Sequence, residues 1–322
     1  MLIKKIKTFI KKPRESISYY WHSFCWRIKS ICLKKFIYDR LPDKIALKLK
    51  FERVMGEQLD LKRPTTYSQK LQWLKLYDRN PIYTNLVDKY EVKKIVAQKI
   101  GQKYIVPTYG IWNRVDQIQW EKLPNLFVIK CTHDSGSTII CRDKAQLDRQ
   151  SVEETLKKHL SKSQFLYGRE WPYKKVKPRI IAEKLLTEGA ETPIIDYKVL
   201  CFHGEPKLIE VHQGRGTDCY TQDYYDTDWN LIRISQKGYP VSLKASPKPA
   251  EIETLLTFSR LLSAEIPHVR VDWYLIGHEI YFGELTFYDG SGLCVFDHHE
   301  DDELMGSWIR LEAKKRRSKI RG

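Results

Sequence analysis

The sequence lacks several features that mark simple protein classes. Its seven cysteines include no CxxC pair, which argues against a cysteine-rich zinc site, and an odd number does not suit a disulfide framework. No internal repeat or low-complexity tract occurs. No apolar run approaches the roughly 20 residues that span a bilayer, and the first residues lack the apolar segment of a signal peptide. We therefore expect a cytoplasmic chain that is neither exported nor membrane-spanning.

Positive charge is unevenly distributed along the chain. The formal net charge of the 322 residues is +16, but the excess lies within residues 1–50 and 313–322. The electrically balanced body argues against a nucleic-acid partner, because only the two ends would be left to bind one. A hydrophobic content of 42% predicts a folded, enzyme-sized unit with two or three lobes.

The N-terminal residues have the pattern of a basic amphipathic helix. At about 100° per residue, one arc holds Leu2, Ile3, Ile6, Phe9 and Ile10. Lysines occupy the rest of the circumference, which is typical of an anchor on an anionic membrane surface. A basic helix that packs its apolar stripe on the body explains the pattern equally well. The basic segment Lys314–Lys319 is predicted to be a disordered tail, with attraction to anionic lipid as a second role.

The hydrophobic period changes from helical to strand-like near residue 104. Helices are predicted at Ile17–Ile37, Ile45–Met55, Tyr67–Tyr77, Leu86–Ile100, Val152–Leu160 and Glu251–Leu262. Strands are predicted at Tyr104–Val106, Leu126–Cys131, Thr138–Cys141, Arg179–Leu186, Ile194–Phe202, Lys207–Val211, His268–Leu275 and Glu279–Leu285. Hairpin turns are predicted at His203–Pro206 and Ile276–His278. The fold class is therefore α+β with largely antiparallel sheets, preceded by a helical N-terminal region.

The segment from Phe127 to Thr138 has the layout of a phosphate-binding loop. A strand contains Lys130, and the small residues Ser135, Gly136 and Ser137 precede the next strand. Small side chains let several backbone N–H groups approach phosphate oxygens, and the lysine supplies a positive charge. By itself, an ordinary tight hairpin would explain the same residues.

The strand Arg179–Leu186 presents charged residues among apolar ones. Glu183 and Lys184 interrupt the apolar residues, as expected where backbone groups at a strand edge form hydrogen bonds to an adenine. A carboxylate that follows closely, Glu188 or Glu191, is placed to bond ribose hydroxyls.

Lys198 lies inside the apolar strand Ile194–Phe202. An unpaired ammonium group is costly to bury, so the lysine requires a partner. A phosphate would serve, and so would Asp196 or another acid.

Asp272 and Glu284 are predicted to form a magnesium site. They lie in two strands joined by a tight turn, where alternation lets both side chains project from one face. Two carboxylates repel unless a cation separates them, and oxygen ligands suit Mg²⁺ bound to ATP phosphates. A surface carboxylate pair is the alternative, although Arg270, two residues before the aspartate in an apolar strand, makes it less attractive.

The order of these motifs resembles the ATP-grasp ligases, and most of all the TupA-like branch of polysaccharide and teichuronopeptide biosynthesis. The similarity runs from about Arg63 to Leu311. Its motifs are Tyr67-Ser68-Gln69-Lys70-Leu71-Gln72-Trp73, Asp88-Lys89, Asp196-Tyr197-Lys198, Phe202-His203-Gly204-Glu205-Pro206 and Gly283-Glu284-Leu285-Thr286-Phe287. The resemblance implies an ATP-grasp fold that holds the nucleotide between two α+β lobes.

Five segments are therefore expected. Charge and helical pattern mark a basic helical region at 1–60, with possible membrane-surface contact, and a basic tail at 313–322. Between them, the resemblance implies an N-terminal or linker lobe at 61–125, a small ATP-grasp lobe at 126–192 and a large lobe at 193–312.

The resemblance further implies roles for the site residues, with ATP and Mg²⁺ as cofactors. The phosphates would be held by Lys89, Lys130 and Lys198 under a loop of Ser135, Gly136 and Ser137. Adenine and ribose would meet Glu183, Lys184, Leu185, Leu186 and Glu191. Magnesium would be bound by Asp272, Glu284 and Thr286, where asparagine is usual in place of threonine. Arg270 and Lys198 would act in catalysis, with a backbone donor from Gly290 or Gly292 and a closing segment at Phe165–Lys177.

The implied reaction is amide-forming ligation through an acyl-phosphate in bacterial cell-surface polysaccharide biosynthesis. Its partners would be ATP, a carboxylate-bearing sugar or glycan and an amine co-substrate, at the inner face of the cell membrane. A phosphotransferase or a glycosyltransferase in the same setting is the alternative. His298, His299 and His133 are expected to be incidental, the first two at the start of a solvated helix.

Overall fold

The computed structural model describes residues 38–187 and 194–312. The expected N-terminal anchor, the helix Ile17–Ile37, the ribose candidates Glu188 and Glu191, and the basic tail lie outside the described residues. Contacts divide the chain into two units at Gln58. The first contains helix α1 (Asp43–Met55), which follows Pro42 and ends at Gly56 in the left-handed conformation. No helix among the described residues is both long and apolar enough to cross a membrane.

The second unit, from Leu59 onward, carries seven further helices among its described residues. These are α2 (Tyr67–Tyr77), α3 (Tyr83–Val87), α4 (Glu91–Ile100), α5 (Arg149–Leu160), α6 (Gln164–Gly168), α7 (Ile252–Ser263) and α8 (His299–Ser307). The hydroxyl of Thr66 caps α2 by accepting from the Gln69 N–H. Helix α8 begins at His299 with acidic residues in its first turn, as predicted for this segment.

The prediction of one helix over Leu86–Ile100 was wrong. The chain breaks between α3 and α4 because Asp88 is extended and its carboxylate accepts from the backbone N–H groups of Tyr90 and Glu91. Because of this break, the Lys89 N–H is not used in a helical hydrogen bond. It donates instead to the Thr132 carbonyl. Lys89 is thereby held against the candidate phosphate loop.

A four-stranded antiparallel sheet forms the smaller layer. Its strands are β1 (Thr108–Trp112), β2 (Phe127–Cys131), β3 (Ile139–Cys141) and β4 (Ile180–Lys184), in the order β1-β4-β2-β3. One face packs on α5, where Ile129, Ala182 and Leu156 belong to one buried cluster. Alternation puts Lys130 and Glu183 on the other face.

The predicted strand Tyr104–Val106 was also wrong. Residues 102–104 form a short 3₁₀ turn, and Ile105 makes a single bridge to Phe282. The strand begins at Thr108 instead, because Pro107 has no N–H to donate and contributes only its carbonyl, which accepts from Lys184.

A six-stranded antiparallel sheet forms the larger layer. Its strands are β5 (Asp196–Phe202), β6 (Glu205–Gln213), β7 (Thr221–Tyr225), β8 (Leu231–Ile232), β9 (His268–Ile276) and β10 (Glu279–Thr286), in the order β10-β9-β5-β6-β7-β8. Both predicted hairpins are confirmed, joining β5 to β6 and β9 to β10. The fold class predicted from sequence, α+β with antiparallel sheets, is confirmed.

The two faces of this larger sheet differ in character. Helix α7 covers an apolar face, where Leu255, Val199 and Val271 share one core and the Trp273 indole donates to Ser259 at 2.9 Å. The opposite face is charged. Register pairs Lys198 with Asp272 on one side and with Glu210 on the other, which sets three ionisable side chains in one row across β9, β5 and β6.

The packing of α5 on the smaller sheet predicts the effect of a cavity mutation. Leu156 is fully buried, so Leu156→Ala should lower the free energy of unfolding by roughly 2–5 kcal/mol. Leu261→Ala on α7 is the control, since that side chain is 49% exposed, and its cost should stay under about 1 kcal/mol. Urea denaturation of both variants measures the difference, and equal losses would contradict this account of the core.

Candidate active site

Asp272 lies at the centre of the charged face of the larger sheet. Its Oδ2 accepts from Lys198 Nζ at 2.7 Å and from Arg270 Nη2 at 2.8 Å, while Oδ1 accepts from Arg270 Nε at 2.8 Å. Burial by itself would raise the pKa of Asp272, but the two cations hold it below its usual value. Lys198 Nζ also lies 3.7 Å from Asp196 Oδ2, so two carboxylates pair with this buried ammonium group in the structure.

Glu284 and Thr286 lie beside this group on β10. A break in register between Phe282 and Leu285 places Gly283 and Glu284 at a bulge, and a side chain at Gly283 would come within 3.0 Å of the Asp272 carbonyl. Thr286 donates to Glu284 Oε1 at 3.2 Å. Burial and the charge of Asp272 act to raise the pKa of Glu284, but Lys89, Arg270 and Lys198 lower it overall.

Lys89 connects the larger sheet to the candidate phosphate loop. Its Nζ donates to the Asp134 carbonyl at 2.6 Å and lies 3.7 Å from Glu284 Oε2. The Asp134 carboxylate accepts from Ser137 Oγ at 2.6 Å and also contacts His159. The loop is therefore anchored by Asp134 and Ser137.

The tip of the loop is open to solvent. Ser135 and Gly136 are exposed, and Gly136 has a φ of +87° that favours glycine. Nothing lies within 4 Å of the place where a Cβ would stand on Gly136, so its conformation rather than crowding requires the glycine. An exposed backbone of this kind can offer N–H groups to an anion.

Lys130 belongs to a second charged group on the smaller sheet. Its Nζ lies 2.6 Å from Glu183 Oε2, and Lys93 of α4 pairs with the other carboxylate oxygen. Lys93 also donates to the Val106 carbonyl and the Thr108 hydroxyl. The Glu183 side chain, predicted to frame adenine, is 5% exposed and held by the two lysines.

An apolar wall adjoins this group where the two sheets meet. Val106, Leu186 and Tyr281 form a buried cluster, with Tyr274 packed against it. Lys184 is exposed and Leu185 is half-buried beside this wall. Planar aromatic ligands bind apolar walls with a few polar groups at the edge, so these residues can receive a base.

Arg270 is held by a turn that helix α2 supports. Its Nη1 pairs with Asp289, the first residue of the turn Asp289–Gly292. From α2, Gln72 donates to the Gly292 carbonyl at 2.6 Å and Lys75 donates to the Ser291 carbonyl at 2.7 Å. The predicted role of Gly290 or Gly292 as a backbone donor stays a prediction.

The segment predicted to close over the site spans α6 and a 3₁₀ turn at Trp171–Lys175. Lys75 donates to the Gly168 carbonyl at 2.8 Å, and Ser291 donates to Glu170 at 2.8 Å. Burial raises the pKa of the Tyr173 hydroxyl, and the charges of Glu170 and Glu284 raise it further. Hydrogen bonds therefore tie the segment to the turn Asp289–Gly292.

The donor set at Asp272, Glu284 and Thr286 fits a magnesium ion that is also bound by phosphates. Two carboxylates and a hydroxyl are hard oxygen ligands, and Mg²⁺ takes the remainder of its shell from phosphate and water. The Glu284 side chain is 42% exposed, which leaves an oxygen accessible. Among the described residues, no group of three or more His, Cys, Asp or Glu side chains forms an all-protein metal site.

The structure brings some of the predicted residues together and separates others. One network of ion pairs, hydrogen bonds and charge effects on the pKa of Glu284 connects six of them, namely Lys89, Lys198, Arg270, Asp272, Glu284 and Thr286. Lys130 pairs with Glu183 in the second group instead. Sequence reasoning assigned no role in the site to Lys93, Asp134 or Asp289, whereas Tyr173 lies within the segment Phe165–Lys177 that was predicted to close over it. Only Asp289 carried a signal, since it directly precedes the glycines singled out as donors.

The Glu183 group predicts how stability depends on pH. Burial raises the pKa of Glu183, but Lys130 and Lys93 lower it overall below the usual 4.5. The ionised carboxylate therefore stabilises the fold above about pH 4.5, and this contribution is lost as the pH falls through the lower folded-state value. At pH 7, Glu183→Gln should lower the free energy of unfolding by on the order of 2 kcal/mol, with a smaller gap in acid. Denaturation across pH, with exposed Glu121→Gln as control, measures this, and a gap independent of pH would contradict it.

The chain is similar to several solved ligase structures. No curated protein matches the chain. A D-alanine–D-alanine ligase from Bacillus anthracis complexed with ATP is 14% identical, with a TM-score of 0.39 over 65% of this chain and 57% of the ligase. The corresponding Helicobacter pylori ligase is 14% identical, with a TM-score of 0.35 over 76% of this chain and 69% of that one. The ATP-grasp ligase PsnB complexed with a minimal precursor, Mg and ADP is 10% identical, with a TM-score of 0.36 over 68% of this chain and 57% of that one.

These structural likenesses are distant, and the chain spans little more than half the length of the Bacillus anthracis ligase. The family assignment does not rest on these structures but on a match to a family model. The family model described as TupA-like ATPgrasp matches residues 69–310, which include both sheets and both charged groups. The chain belongs to the TupA-like ATP-grasp family.

Proposed function

We propose that the protein is an ATP-dependent ligase that joins a carboxylate to an amine through an acyl-phosphate. The observation that carries the proposal is the cation-rich group around Asp272 and Glu284, which lies beside an open, glycine-containing loop. Membership of an ATP-grasp family supports ATP as the nucleotide.

The chemical problem of this reaction is repulsion between anions. A carboxylate nucleophile and a triphosphate are both negative, so positive groups must offset their charges before they can meet. Lys89, Lys198 and Arg270 supply three such groups within one network, and Lys130 supplies a fourth on the facing sheet. A magnesium ion bound at Asp272, Glu284 and Thr286 would neutralise further phosphate charge.

In the ligand-bound enzyme, we expect Lys198 to exchange Asp272 for the γ-phosphate. The exchange keeps the ammonium paired with an anion, so burial of the lysine costs little in either state. Arg270 is held by Asp272 and Asp289 and would face the acyl-phosphate as its carbonyl oxygen gains charge. The open loop at Ser135–Ser137 and the Tyr173 segment would exclude water, because an acyl-phosphate hydrolyses readily.

Adenine would contact the apolar wall of Val106, Leu186 and Tyr281, with backbone groups of Lys184 and Leu185 at its edge. The acceptor is proposed to be a carboxylate-bearing sugar or glycan of a bacterial cell-surface polysaccharide, with an amine as co-substrate. We place this reaction in the cytoplasm, with the basic chain ends contacting the anionic inner face of the membrane.

A product assay tests the proposal. Purified protein is incubated with ATP, magnesium and pairs drawn from uronic acids, amino acids and simple amines. A ligase should release ADP and inorganic phosphate in equal amounts only when a carboxylate is present. ADP without free phosphate would indicate a phosphotransferase instead. Intact ATP, together with turnover of a sugar nucleotide in a parallel incubation, would indicate a glycosyltransferase.

Lys198→Met should lower kcat by roughly 100-fold or more, because it removes a charge from the transferring phosphoryl group. Lys207→Met is the matched control, since Lys207 is an exposed lysine on the neighbouring strand β6. Phosphate release under saturating ATP measures both variants. Equal turnover of Lys198→Met and wild type would exclude the proposed role.

A further inference from the structure

A second group of ionisable side chains lies on the charged face, and none of the nucleotide-binding roles proposed above involves it. Glu210 and His212 of β6 are 2% and 5% exposed, and the His212 Nε2 pairs with Glu210 Oε1. Strand register places Glu210 beside Lys198 and His212 beside Asp196. Neighbouring strands are about 4.8 Å apart, so this pair lies next to the position proposed for the γ-phosphate.

The contacts of His212 determine which ring nitrogen carries the proton. Arg215 Nη2 lies 3.3 Å from His212 Nδ1, and a guanidinium group can only donate. Nδ1 must therefore accept, and the proton resides on Nε2, which donates to Glu210. A carboxylate that orients an imidazole in this way leaves the other nitrogen as a proton acceptor and stabilises the imidazolium ion that forms when it accepts.

Tyr220 connects this nitrogen to a partly exposed surface beside Arg215. Its hydroxyl lies 2.5 Å from His212 Nδ1, and its ring stacks on the imidazole at 5.8 Å between centroids. Tyr220 is half-buried, whereas the Arg215 side chain is 58% exposed. Arg215 also lies 3.5 Å from Asp196, which in turn lies 3.7 Å from Lys198.

The pair is costly to bury, and its geometry leaves one atom without a partner. Glu210 Oε2 is buried and has no hydrogen-bond partner among the described residues. A buried carboxylate with an unsatisfied oxygen is a poor way to stabilise a fold, since hydrophobic residues of similar volume often serve better. The arrangement therefore indicates a functional role.

We propose that Tyr220, His212 and Glu210 form a proton relay that accepts a proton from the ammonium group of the amine co-substrate. The proposal rests on the ligase function proposed above, which requires a free amine beside the acyl-phosphate. An alkylammonium ion cannot attack a carbonyl, because its nitrogen has no lone pair, so a proton must leave first.

The amine nitrogen loses two protons in this reaction, and each has an acceptor. The ammonium proton passes to the Tyr220 oxygen as the Tyr220 hydroxyl proton passes to His212 Nδ1, and Glu210 stabilises the resulting imidazolium. The amine nitrogen then forms the C–N bond, and the C–O bond to phosphate breaks with its electron pair on the leaving phosphate. The second nitrogen proton goes to that phosphate, and His212 later returns its proton to solvent through Tyr220.

Two nucleophile probes separate this role from a structural one. Hydroxylamine is largely unprotonated at neutral pH and traps an acyl-phosphate as a hydroxamate without a base, whereas an amino acid needs deprotonation. With the carboxylate that gives phosphate release in the wild type, His212→Gln and Tyr220→Phe should keep hydroxamate formation and lose about 100-fold or more in amide formation. His278→Gln and Tyr109→Phe are matched controls, since both side chains are exposed and far along the chain from the relay.

Each outcome decides the proposal. Loss of both products in parallel, or retention of both, would overturn the relay while leaving the ligase function in place. A wild-type enzyme that forms neither product with any carboxylate would remove the ligase function itself, which distinguishes the two failures.

A second measurement needs no substrate. Histidine ¹⁵N NMR of the full chain, with the His212 signals assigned by their absence in His212→Gln, should show that the neutral ring carries its proton on Nε2 and not on Nδ1. A protonated Nδ1 in the neutral ring would overturn the relay.

Discussion

The sharing of one carboxylate, Asp272, between Lys198 and Arg270 is the constraint on which the site depends. Both oxygens of Asp272 are used, and the group lies buried in the middle strands of a sheet. Breaking such a group by removing one partner would leave an uncompensated buried charge. The network therefore pairs its buried cations, and under the proposed function the same cations would meet the phosphates of ATP.

The sheet register explains why these side chains meet. Antiparallel pairing sets Asp272, Lys198 and Glu210 in one row, and alternation sends every second residue to the apolar face under α7. A slip of one residue in any strand would exchange the two faces. The hydrophobic packing of Val199 and Val271 thus fixes the charged row, so the core and the site are specified together.

The sequence predicted the elements of the site better than their connections. Strand alternation correctly put Asp272 and Lys198 in apolar strands, because burial imposes a period that is visible in the residues. It could not show that Lys130 pairs with Glu183 or that Lys93 joins them, since those contacts depend on how β2, β4 and α4 come together. The break at Asp88 was missed because its side chain caps α4 while the flanking residues keep a helical period.

The Glu210–His212 pair escaped sequence reasoning for a related reason. The two residues alternate within an apolar strand, as any half-buried strand does, and only register with β5 puts them beside Lys198. The turn at Asp289 is similar, since its link to α2 through Gln72 and Lys75 joins segments far apart in the chain. Long-range contacts of this kind leave no local pattern in one sequence.

Calorimetric titration of the full chain with a non-hydrolysable ATP analogue, with and without magnesium, tests most directly whether the group around Asp272 and Glu284 binds ATP through a magnesium ion. We expect binding at one site that magnesium strengthens, because the ion would join the phosphates to Asp272 and Glu284 and offset the charge of both carboxylates. Absence of binding, or binding of equal strength without magnesium, would contradict it.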